Sequence, residues 1–410
     1  LSPSTSPPSL PGLLALVYFA KPFNPDRTTS DPDTANLLFT ENIKAAIWAI
    51  IAVYLGYSTI QGPLSPLVRP HPSVWRFVHG ILICYLMFLV FLLFQTVDDA
   101  RQFLAKLYPN LGVELPERAY GDSCDLWITG QGINWKVLQD TVFDEFVLAH
   151  ALGWWGKAVI LRDNYMLWTL SIGFELMEKT FQHMLPNFNE CWWDSWILDV
   201  LMCNWLGIAT GMWTVRYFKS KEYNWRGISQ QPTLLAKAKR GLLQFTPASF
   251  TDFQWAAFSS PKRLAQFLFL PAIFLIFEVN HFFLKYALWV PPTNPMNTYI
   301  LIIQWLAGIP SIMEYYEFIE SDSGTGSGDV FTKLGPYAWT TLAIALIETL
   351  VVVKYSHGLF VDAPWPLTVV IGWSVALGVF GVLYGAWCWR YYFGGKCTNS
   401  RSNRKRKKRV

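Results

Sequence analysis

Residues 174–204 read FELMEKTFQHMLPNFNECWWDSWILDVLMCN, two apolar helical pieces joined by a polar loop, with acidic groups throughout. Glu175 and Glu178 stand three apart and share one helix face. Asn187, Glu190 and Asp194 lie in or beside the loop, and Asp199 and Asn204 fall inside the second apolar run. A carboxylate in a lipid-embedded helix costs several kcal/mol unless something neutralises it. Several brought together require a cation, and oxygen-only donors favour a hard ion, calcium or magnesium, over zinc. Interhelical hydrogen bonds around a polar cavity are the competing reading of the same residues.

The rest of the chain suits a bilayer. Of 410 residues, 52% are hydrophobic and 15% charged, where soluble domains carry roughly 25% charged residues. The mean hydropathy is +0.25, and 21 tryptophans suit the headgroup interface. This composition predicts an all-α, polytopic integral membrane protein with no nucleic-acid partner. Six cysteines form no CxxC pair and no Cys/His cluster at zinc spacing.

Spans are predicted at about 43–60, 74–96, 146–161, 164–181, 195–217, 264–290, 298–313, 337–355 and 366–391. Residues 11–20 are too short to cross and read as a partial first span, giving about ten transmembrane helices. The chain thus divides into an N-terminal segment with a lumenal loop (1–41), a multi-span membrane domain (42–393) and a basic tail (394–410). The net charge of +4 matters by where it falls: the basic loop 218–263 and the tail RSNRKRKKRV mark the cytosolic side. Both termini are then cytosolic and the 182–194 loop is lumenal. Cys124 and Cys191 both fall on the lumenal side, where a disulfide and two free thiols remain open. Lys407 and Lys408 resemble a dilysine retrieval signal of endoplasmic-reticulum membrane proteins, or form a polybasic segment attracted to anionic lipid.

His150, in VLAHALGWWGK, is either a hydrogen-bonded structural residue or, close in sequence to Glu175 and Glu178, a base or nucleophile. Arg69 and His71, in RPHP, either clasp a lipid phosphate or anchor the next span. Trp192-Trp193 reads as an aromatic wall for a quaternary ammonium or as interfacial belt. The basic, amphipathic KAKRGLLQFTPASF (237–250) fits the cytosolic leaflet or a packed linker. Walker A, GxSxG and the DGxxAR…G…D…D array of CDP-alcohol enzymes are missing from the sequence, which disfavours a nucleotide-driven synthase. A lipid or cation transporter using the same carboxylates, and an O-acyltransferase with an intramembrane His, are the competing classes.

RPHPSVWR, LFQTVDDARQFL, GVELPERAYG, AHALGWWGKAVILRD, the whole of 174–204 with WLGI after it, and LQFTPASF resemble base-exchange phosphatidylserine synthases. The likeness covers roughly residues 40–360 and is nearer the type-two animal enzyme than the type-one form. It implies an endoplasmic-reticulum enzyme, its active site lumenal, compatible with a homodimer. That enzyme would exchange the headgroup of phosphatidylcholine or phosphatidylethanolamine for L-serine, with calcium (Ca2+) and without nucleotide. On matching positions, the resemblance makes Glu175, Glu178, Glu190 and Asp199 calcium ligands and His150 the catalytic histidine. Asn187, Asp194 and Asn204 would support the ligands or bind substrate. Arg69, His71, and Gln244 and Pro247 of LQFTPASF fall at places tied to lipid binding and product feedback. One departure is SIMEYYEF, which puts Met313 where relatives carry an arginine.

Overall fold

Hydrocarbon tolerates only backbone that satisfies its own hydrogen bonds, so long apolar runs coil into helices. The computed structural model describes residues 32–67, 70–108, 110–114, 124–128, 132–142, 145–219, 231–242, 253–322 and 334–406. Its first helices are α1 (Pro32–Gln61), α2 (Pro72–Leu93) and α3 (Val97–Leu107). Two short strands follow, β1 (Trp127–Ile128) and β2 (Gly132–Ile133), then α4 (Trp135–Val142), α5 (Glu145–Leu161) and α6 (Asn164–Phe181). A π-helix (Asp194–Asn204) runs directly into α7 (Trp205–Lys219). The remainder is α8 (Leu234–Leu242), α9 (Pro261–Ala287), α10 (Pro295–Asp322), α11 (Pro336–Tyr355), α12 (His357–Asp362) and α13 (Leu367–Arg406).

Among the described residues, seven helices are long and apolar enough to cross a membrane, with the π-helix and α7 counting as one. α5 is shorter, and α6 carries Glu175, Glu178 and Lys179. Each span expected beyond the first coincides with a helix; residues 11–20 lie outside the described residues. One expectation needs correction. Residues 32–41, expected as loop, belong to α1, which opens on Pro32, a residue suited to a helix start because its missing N–H would have no partner there. The all-α class holds, β1 and β2 being a single antiparallel pair of two-residue strands within the 98–144 stretch.

Two features set α5 where the site needs it. The two-residue turn to α6 puts Arg162 in the left-handed region (φ 54), and Asp163 caps α6 by accepting from the Met166 N–H at 2.8 Å. α5 also packs closely on α7 through Gly207 and Gly211, a small-xxx-small pair. A Cβ on Gly211 would lie 2.5 Å from the Ala158 Cβ, and one on Gly207 2.6 Å from the Trp154 Cβ. Gly211→Ala is therefore expected to destabilise by about 1–3 kcal/mol. A lower unfolding temperature of the detergent-solubilised protein would show it, and an unchanged one would mean the helices need not approach so closely.

Helices α2, α6, α9 and α11 finish at one end of the bundle. The Lys354 ammonium on α11 donates to the Leu93 carbonyl at the end of α2 (2.8 Å), and Arg101 Nε donates to the Ala287 carbonyl at the end of α9 (2.9 Å). Phe181, closing α6, meets Phe283 edge-on at 5.4 Å between ring centres. At the other end, the Tyr337 hydroxyl at the start of α11 donates to the Pro63 carbonyl ahead of α2 (3.3 Å). Between the ends, Leu82, Leu89, Ala307 and Ile344 form one core, and Trp154, Leu161, Leu167, Ile208 and Phe267 another.

Candidate functional site: a carboxylate cluster beside an unpartnered histidine

The loop after α6 returns through a short 3-10 turn (Pro186–Phe188), whose Phe188 is buried with its ring 4.7 Å from Phe282 of α9. A disulfide joins Cys191 to Cys124, and the Trp193 indole N–H donates to the Cys124 carbonyl at 3.2 Å. Glu190 is thereby tied to the β1–β2 segment through its neighbour in the chain. Trp193 is buried and Trp192 exposed, so the two indoles do not form one wall.

The π-helix then decides which side chains face inward. Residues five apart on an α-helix point about 140° away from each other. Hydrogen bonding from i to i+5 instead brings them to within about 50° of each other, on one side of the helix. Asp194, Asp199 and Asn204 are spaced by five, and all three are turned toward the protein. The pairs Trp196–Ile197 and Leu201–Met202, also five apart, are exposed on the opposite side, where lipid would lie. The Asn204 amide donates to the Ser171 hydroxyl (2.8 Å), fixing this stripe against α6.

Five acids from three elements crowd here. Glu178 has Glu190, Glu175 and Asp199 as charged neighbours, and Glu175 has Glu190, Lys179, Asp194 and Lys157. Glu175 and Glu178 are buried. Both carboxylate oxygens of Glu175, Oε2 of Glu190 and Oδ1 of Asn204 are buried without a hydrogen-bond partner. Burial, and then the charge of Asp194, push the Glu190 carboxyl up to about 7, with Lys179 opposing. Unsatisfied buried oxygens of this kind are costly. As a donor set they fit a hard cation. Among the described residues the acids are neighbours rather than a closed shell, since no three His, Cys, Asp or Glu converge as ready-made ligands.

His150, on α5, borders the cluster. Its Nε2 is buried without a hydrogen-bond partner, its ring stands edge-on to Phe174 of α6 at 6.3 Å, and Asn204 lies beside it. Asn187, half-buried in the 3-10 turn, belongs to the same loop. The structure thus brings together His150, Glu175, Glu178, Glu190, Asp194, Asp199 and Asn204.

His71 sits elsewhere. It is exposed and caps α2, its Nδ1 accepting from the Ser73 N–H at 3.2 Å. It therefore lies at the start of a helix whose far end is the acidic end of the bundle, roughly 33 Å away for 22 residues. Arg69, Gln244 and Pro247 lie outside the described residues. Met313 packs against the core formed by α5, α6 and α9.

Three ionisable residues inside the bundle were missed in the sequence. Lys157 of α5 pairs with Glu278 of α9, Nζ to Oε1, at 2.6 Å. Glu348 of α11 is buried and accepts a hydrogen bond from the Tyr85 hydroxyl. The only available signal was an ionisable residue inside each apolar run.

Membrane-crossing helices around a buried carboxylate–histidine site define an integral membrane protein with a polar reaction or transport centre. Comparison with known proteins makes the class specific. The family model described as Phosphatidyl serine synthase matches residues 70–356. The chain is 53% identical over 353 residues to CDP-diacylglycerol--serine O-phosphatidyltransferase 2 of Oryza sativa subsp. japonica, covering 85% of this chain and 81% of that one. It is 48% identical over 381 residues to CDP-diacylglycerol--serine O-phosphatidyltransferase 1 of Arabidopsis thaliana (92% and 86% covered). It is also 39% identical over 358 residues to Phosphatidylserine synthase 2 of Homo sapiens (86% and 70% covered). The chain belongs to the phosphatidylserine synthase family.

Proposed function

We propose that this protein transfers a phosphatidyl group to the hydroxyl of L-serine, by calcium-dependent exchange with the choline or ethanolamine headgroup of a membrane phospholipid. The observation that carries the reading is the unpartnered His150 Nε2 beside buried, unpartnered carboxylate oxygens. Glu175, Glu178, Glu190 and Asp199 would hold the cation, with Asn187, Asp194 and Asn204 in support. Calcium bound there would supply positive charge against the phosphate as phosphorus becomes five-coordinate. The serine oxygen forms a bond to phosphorus as the bond to the departing amino-alcohol breaks. His150 takes the hydroxyl proton and returns it to the leaving alkoxide, or attacks phosphorus first and is displaced by serine; both roles need a free Nε2. One phosphodiester replaces another, which agrees with a sequence lacking nucleotide-binding loops.

The same reading has ten spans with both termini in the cytosol and the acidic loop in the endoplasmic-reticulum lumen. The Cys124–Cys191 bond supports that side, since disulfides persist in oxidising compartments.

A second reading has its own support. The plant relatives carry names that specify CDP-diacylglycerol as donor, at 53% and 48% identity. Purified protein given L-serine with phosphatidylcholine, phosphatidylethanolamine or CDP-diacylglycerol separately distinguishes them. Exchange is expected from one or both of the first two, and to stop with EGTA. Product from CDP-diacylglycerol alone, with release of CMP, would establish the second reading instead.

A further inference from the structure

We infer that the Lys157–Glu278 ion pair is the subsite for the zwitterionic acceptor, Lys157 taking the carboxylate of the amino acid and Glu278 its ammonium, so that the hydroxyl faces His150. The inference rests on serine being the acceptor and holds for either lipid donor.

The pair is built into the wall beside the histidine. Lys157 follows His150 by two helical turns on the same face of α5, about 10 Å along the axis. Helical side chains lean toward the N-terminus, and the Lys157 ammonium accordingly lies 4.3 Å from the ring of Trp154, nearly one turn earlier. It also lies 5.5 Å from the centre of the Phe174 ring, the ring that borders His150. His150 is within electrostatic reach of both Lys157 and Glu278.

Stability does not account for the pair. Taking two charges out of water costs about as much as their attraction returns, and apolar residues in their place are often as stable. Each side chain keeps 18–19% of its surface exposed, so neither charge is sealed inside the packing. The two charges match an α-amino acid one for one. A zwitterion that enters between them exchanges one ion pair for two, so neither charge is left bare. The arrangement also supplies selectivity, because an amino-alcohol without a carboxylate leaves Lys157 unmatched.

Lys157→Gln and Glu278→Gln in the full-length purified protein test this, with whichever donor supports wild-type turnover. The KM for L-serine is expected to rise roughly ten- to a hundred-fold in each, with the donor KM within about two-fold of wild type. Lys157→Gln should also narrow the preference for serine over ethanolamine as acceptor, whereas Glu278→Gln should not, because ethanolamine keeps the ammonium. A raised donor KM with an unchanged serine KM would overturn the inference by giving Lys157 to the lipid phosphate. A lower kcat with both KM values unchanged would make the pair a structural clamp, and also overturn it. If either variant misfolds, Lys157→Arg and Glu278→Asp keep the charges and shift their positions. A serine KM unmoved in both of these overturns the inference equally. Failure of the wild-type protein to incorporate serine from any donor would sink the functional reading itself.

Discussion

His150→Ala is expected to lower turnover by about 10²–10⁴-fold while calcium binding and the fold persist. The expectation of an intact fold comes from the geometry. A structural histidine in an apolar helix is held by hydrogen bonds, and removing it strands its partners. His150 Nε2 lies beside the Asn204 side chain without a well-formed hydrogen bond to it, so alanine strands no strongly held partner. The ring contact to Phe174 is lost, a modest packing term. The effect should fall on kcat, because a proton acceptor acts in the transition state and adds little to ground-state binding. Serine incorporation by the purified variant, alongside its unfolding temperature with and without calcium, measures this. Near wild-type turnover would remove His150 from the chemistry. Loss of folding would make the ring a packing element of the α5–α6 contact instead.

How much of this site the sequence disclosed follows from which interactions are local. The acids were legible because charge inside apolar runs is conspicuous, and Glu175 and Glu178 follow ordinary helical spacing. Asp199 and Asn204 were legible as residues but not as a face, since helical periodicity puts residues five apart on different sides. Only the π-helix aligns them with Asp194, and nothing in DSWILDVLMCN announces i→i+5 bonding except the five-residue repeat of its apolar pairs. Glu278 was illegible as a partner because the chain separates it from Lys157 by 121 residues. The disulfide stood open for a related reason: sidedness put both cysteines in one compartment, but only the folded β1–β2 segment brings them together. Seven of the expected spans were secure, because length and hydropathy fix them without knowledge of neighbours, whereas α5 is too short and α6 too polar for those two properties alone to decide.

The acidic cluster gives the second large effect, and one of unusual sign. Glu178→Gln is expected to stabilise the calcium-free protein and to abolish its response to calcium. Glu178 is buried, with Glu190, Glu175 and Asp199 around it and Lys179 as a positive neighbour. Without a cation these like charges repel in a medium that screens them poorly, so removing one relieves the other three. Glutamine keeps the shape and can donate to the orphaned oxygens of Glu175 or Glu190. With calcium the balance reverses. A cation that binds only the folded state stabilises it in proportion to the logarithm of its concentration over Kd, and loss of a charged ligand weakens that binding steeply. The wild-type protein should therefore melt at a higher temperature in calcium than in EGTA. Glu178→Gln should melt above wild type in EGTA and show no further rise with calcium, and its turnover should be lost. A variant that melts lower in EGTA and still responds to calcium would make the cluster an interhelical hydrogen-bond network, with any cation bound elsewhere. This is the sharper of the two tests, because a carboxylate kept only for structure and one kept for a ligand predict opposite signs in the same measurement.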